Sequence, residues 1–112
     1  MSSPPAPVTS HLLYLHGFRS SPQSAKAVQV AARVREQHPG VVWCCPQLPA
    51  SPREAAGLIR QLTQDWPREG MAVIGSSLGG FYARWLSLQH GCRAALLNPA
   101  PFRSRRGAVP GR

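Results

Sequence analysis

Gly75, Ser76, Ser77, Leu78 and Gly79 spell G-x-S-x-G, with Ser77 at the position whose hydroxyl can attack a carbonyl carbon. By itself so short a pattern arises readily by chance, and a glycine-rich turn with an incidental serine is the plainer alternative. Its setting raises it. The pattern follows the apolar run Met71–Gly75 and precedes a segment with helical apolar spacing, the strand–turn–helix context that a nucleophile elbow requires. The elbow serine adopts a crowded backbone conformation, and Gly75 and Gly79 relieve the crowding. Ser76 occupies an x position and is the lesser candidate.

Attack on an acyl group creates an oxyanion, which needs two preorganised N–H donors. The N–H of Leu78, just after the serine, is one candidate. The other comes from the loop after an earlier strand, and His16-Gly17-Phe18 ends the apolar run Leu12–Leu15, so Phe18 N–H is expected there. His16 invites a reading as the catalytic base, but in this class the base follows the serine, and a loop-bracing role is preferred. After Ser77 the chain has no Asp or Glu, and its only histidine is His90. A helix starting at Leu78 carries His90 roughly 18 Å away from the serine. Of the earlier groups, Asp65, Glu36 and His11 fall at the far edge, and Glu54 has a capping role. A serine without a base is a weak nucleophile.

The elements that must position these residues alternate. Leu12–Leu15 and Val41–Cys45 are short apolar runs suited to strands buried on both faces, and Met71–Gly75 and Arg93–Leu97 read as a third and a fourth strand. Between them lie helical stretches. Ser21 and Pro22 offer an N-cap and first position for a helix over 23–37, with Val28, Ala31, Ala32 and Val34 as its buried stripe. Ser51-Pro52-Arg53-Glu54 matches a capping box, and Ala55, Leu58, Ile59 and Leu62 share one face of the helix it opens. A third helix runs from Leu78 to Gln89 and stops at Gly91. The order β-α-β-α-β-α-β implies an α/β fold with an open parallel sheet and flanking helices. Residues 1–10 read as a flexible leader, 11–100 as the domain and 101–112 as a disordered basic tail.

The 112 residues are 43% hydrophobic and 15% charged, as in a globular domain. The formal charge of +9 is almost wholly arginine, and falls to +5 without the four arginines of the last ten residues. The remaining basic residues are scattered without a stacking platform, so nucleic-acid binding is not expected. Three cysteines, two of them adjacent, make neither a disulfide framework nor a metal-ligand spacing. No metal is expected, no apolar run approaches a membrane span, and the start of the chain is not a secretory signal. A cytoplasmic protein with reduced thiols is expected.

Four segments together resemble the YqiA-like esterases, a small bacterial branch of the α/β hydrolases. They are Leu12-Leu13-Tyr14-Leu15-His16-Gly17-Phe18 with Ser20-Ser21-Pro22, then Cys45-Pro46-Gln47-Leu48, Gly75 to Ala83, and Asn98-Pro99-Ala100. The resemblance covers residues 11–100. It implies a partial α/β-hydrolase fold and cofactor-free hydrolysis of small carboxylic esters or acyl thioesters in the cytoplasm, with Ser77 as nucleophile and Phe18 and Leu78 at the oxyanion hole. The missing acid and histidine, and a tail unlike the family's continuation, predict a truncated and impaired member. A non-catalytic module binding an acyl ligand or a partner is the alternative. A nucleotide-binding domain is weaker still, since the Gly75–Gly80 turn lacks both the P-loop ending and G-x-G-x-x-G spacing. The run 93–97 is expected to be an apolar edge through which the chain self-associates.

Overall fold

The structure, a computed structural model, describes residues 8–17 and 23–97. In chain order the elements are β1 (His11–Leu15), α1 (Ala25–Gln37), β2 (Val42–Cys44), α2 (Pro52–Thr63), a 3-10 turn (Arg68–Gly70), β3 (Met71–Ser76), α3 (Gly79–His90) and β4 (Arg93–Leu97). The four strands form one parallel sheet in the order β2-β1-β3-β4. This is the α/β fold that the alternation of strand and helix predicts.

β1 is central because its residues tolerate burial on both faces. Leu13 and Leu15 face one side and join Met71 and Val73 of β3, Ala55 and Ile59 of α2, and Tyr82, Ala83 and Leu86 of α3 in the main core. Tyr14 alternates to the other side, where its ring lies 5.7 Å from that of Trp43. On that side Val34 of α1 shares a cavity with Leu12 and Ala72. So α2 and α3 cover one face and α1 the other. Right-handed crossovers require this split. The chain steps from β1 outward to β2, then reverses across β1 to β3 and continues to β4, and this one reversal transfers α2 and α3 to the face opposite α1.

The helix ends follow local chemistry. Ser51 accepts a hydrogen bond from Glu54 N–H at 3.3 Å, the Ser51 half of the expected capping box, and Pro52 opens α2. Gly91, with φ of 69°, closes α3, and its N–H donates to Ser87 O at 2.8 Å.

α1 departs from expectation in both its cap and its buried face. Its cap is Ser24, which accepts from Ala27 N–H at 3.3 Å, rather than Ser21, which with Pro22 lies outside the described residues. Its buried face is also rotated. Ala27 is buried and Val30, Ala31 and Val34 are partly covered, while Val28 and Ala32 are exposed. Positions 27, 30, 31 and 34 make a proper helical stripe; adding 28 and 32 widened it past the face that meets the sheet. β2 is shorter than the run 41–45, because it pairs only along His11–Leu13. Residues 1–7 of the expected leader 1–10, and the expected tail 101–112 with Asn98-Pro99-Ala100, lie outside the described residues.

Candidate active site

In an open α/β sheet a ligand crevice forms beyond the carboxyl ends of two neighbouring strands whose outgoing connections run in opposite directions. Here those strands are β1, which leaves toward β2, and β3, which leaves toward β4. The two motifs sit there: His16–Gly17 directly after β1, and Ser77 directly after β3.

Ser77 is exposed and has φ of 53°, the one positive φ of a non-glycine residue among the described residues. Left-handed backbone at such a residue costs about 1–2 kcal/mol. A buried Leu or Ile contributes a similar amount, about 1.5–3 kcal/mol, and the core beneath contains several, so the fold can hold this strain. The turn is also tight. A Cβ on Gly75 would run into Gly79 O and lie 2.6 Å from Gly80 Cα. One on Gly79 would strike Leu15 O and come within 2.7 Å of His16 O. The first turn of α3 is thereby pressed against the end of β1. Gly17 completes the arrangement, because a Cβ there would lie 2.9 Å from Ser77 Cβ. These three positions exclude side chains through close approach, not through unusual φ.

Hydrogen bonds fix the elbow on two sides. Ser77 N–H donates to Leu97 O at 3.0 Å, tying the turn to β4. Gly80 N–H and Phe81 N–H donate to Ser77 O and Leu78 O. Leu78 N–H has no backbone acceptor among the described residues, and no side chain caps α3. An open N–H at a helix start, beside an exposed serine, suits developing negative charge. Phe18, the other expected donor, lies outside the described residues.

His16 is buried, and both ring nitrogens are engaged. Its Nε2 accepts from Leu48 N–H at 2.9 Å, which requires that nitrogen to be unprotonated. Its Nδ1 therefore carries the proton and donates to Gly17 O, also at 2.9 Å. The ring ties the end of β1 to the loop after β2, and has no nitrogen to offer Ser77. The Leu48 that meets it belongs to the Cys45-Pro46-Gln47-Leu48 segment, and nothing in the residue types marks it as a partner of His16.

Every histidine and every Asp or Glu of the chain lies among the described residues, and none is a hydrogen-bond partner of Ser77 Oγ. His11 contacts Ser10 Oγ and the Trp66 ring at the start of β1. His90 ends α3, beside Arg60 and Arg68. Cys45 follows β2 at the elbow's edge of the sheet, but burial, and then the neighbouring Cys44, push its thiol up to about 11. At neutral pH such a thiol stays protonated. Among the described residues no three His, Cys, Asp or Glu side chains gather to hold a metal ion, and no helix is long and apolar enough to cross a membrane.

The match to known sequences runs further than residue 100. Residues 11–107 match the profile of the uncharacterised protein family UPF0227, and the chain belongs to that family.

Proposed function

We propose that this chain is a slow serine esterase acting on small carboxylic esters or acyl thioesters through Ser77. The observation that supports this best is the strained, exposed Ser77 at the sheet's switch point, with three glycines clearing space around it. Ser77 Oγ attacks the acyl carbon, and the carbonyl π electrons move onto oxygen. Leu78 N–H, with Phe18 N–H as second donor, stabilises that oxyanion. Collapse expels the alcohol or thiol and leaves an acyl-Ser77 ester, which water then hydrolyses. The Oγ proton passes to solvent water as the bond forms, since His16, with both nitrogens engaged, does not take it, and water in turn protonates the departing alkoxide or thiolate. The reaction is therefore slow: loss of triad partners costs on the order of 10⁴–10⁶ in rate, while an oxyanion hole alone retains about 10³–10⁴ over water.

Release of nitrophenol from a short-chain nitrophenyl ester tests this reading. Wild-type chain should show a slow rate above buffer that Ser77→Ala removes. Equal rates in the two proteins would sink the proposal. Fast turnover dependent on Ser77 would mean that the account of its missing base is wrong.

A further inference from the structure

At the sheet edge opposite Ser77, the carboxyl ends of α2 and α3 meet around a surface cavity of about 370 Å³ lined by Arg60, Gln61, Gln64, Arg68 and His90. Such a volume suits a small ligand. Three of the five side chains are basic, two are amides with N–H donors, and none is a carboxylate. Neither arginine forms an ion pair among the described residues. We propose that this cavity is an anion site taking the phosphate group of a small phosphorylated ligand.

The opposing effect is the pair of helix ends. Each carries roughly half a negative charge, about one in total. Arg60 and Arg68 bring two full positive charges, so a positive surplus remains. His90 reports the same field: burial first, and then the Arg68 charge, hold its imidazole below the ordinary range.

The arginines are also held in place. The Arg60 guanidinium lies 5.7 Å from the centre of the Trp85 ring. Arg68 Nη1 donates to Thr63 O at 3.3 Å and Trp66 O at 3.2 Å, which answers the carbonyl end of α2. Its Nε and Nη2 hydrogens remain for a ligand. Two oriented guanidiniums and two amides match the several oxygens of phosphate better than the two of a carboxylate. The site stands apart from the esterase reading, since α3 separates it from Ser77 by roughly 18 Å.

Titration of the full chain with inorganic phosphate at constant ionic strength, followed by NMR of the arginine Nε–H and His90 ring signals, tests the proposal. Saturable shifts at Arg60, Arg68 and His90 are expected, with His90 protonating at higher pH when phosphate is bound. Arg60→Gln should weaken binding about tenfold or more, as loss of a charge-assisted bond implies, and Arg68→Lys should weaken it without unfolding α2. Arg84→Gln, on the exposed side of α3, should leave it unchanged. Equal shifts with chloride, or equal weakening by Arg84→Gln, would reduce the site to diffuse positive charge and overturn the proposal. Binding of a short oligonucleotide that depends on Arg84 as strongly as on Arg60 would overturn it in favour of a macromolecular surface.

Discussion

Ser77 combines exposure with a backbone angle that side chains disfavour, and that combination can be tested separately from catalysis. Glycine at this position would release about 1–2 kcal/mol of left-handed strain, but would add about 0.5–1 kcal/mol of unfolded-chain entropy to be lost on folding. Ser77→Gly should therefore be as stable as wild type or up to about 1.5 kcal/mol more so. Ser77→Val, with a branched Cβ, should lose more than about 1 kcal/mol. Urea unfolding of the three proteins gives the order, and a valine variant as stable as wild type would contradict a strained elbow. Part of this site is legible from residue types alone. G-x-S-x-G between a strand and a helix points to Ser77, and His16-Gly17 after the first apolar run points to the facing loop. The Leu48 N–H that fixes the His16 tautomer is not legible, because a contact across 32 positions depends on where β2 delivers the chain.

At the scale of elements, the contact of α3 with the end of β1 makes the site possible. Gly79 stands where a Cβ would meet the Leu15 carbonyl, a backbone atom that cannot rotate away. Gly79→Ala should force α3 off β1 and lose at least about 2–3 kcal/mol, in the range of overpacked cores. Gly57, inside α2, would meet nothing within 4 Å. Gly57→Ala should stabilise by about 0.5–1 kcal/mol through helix propensity. Thermal unfolding of both variants checks the contrast, and similar effects at the two glycines would refute the close approach. The strands and α2 were legible because their apolar runs and the Ser51 cap agree with each other. α1 was less so. Ser21 and Ser24 are both acceptable caps, and four apolar residues at 28, 31, 32 and 34 do not reveal which face meets a sheet that touches only part of the helix.

For the whole molecule, β4 is the element whose burial does not match its composition. Arg93, Ala94, Ala95 and Leu96 are exposed, and among the described residues β4 pairs only with β3. An apolar edge with open backbone groups favours pairing with another copy, while the formal charge of +9 opposes it. Salt screens the charge but not the edge. The expected outcome is self-association at roughly tens of micromolar that strengthens with salt and is reduced by Ala95→Lys. Light scattering after size exclusion should show it as a mass above 12.1 kDa, and a monomer at every salt concentration would contradict it. The central claim, however, is that Ser77 is a nucleophile, and its most direct test is covalent. Wild-type chain and Ser77→Ala would be incubated with a fluorophosphonate and compared by intact mass and peptide mapping. A single slow adduct on Ser77, absent from the alanine variant, is the predicted result. An adduct that persists in Ser77→Ala, or none on folded wild-type chain after prolonged exposure, would contradict the claim.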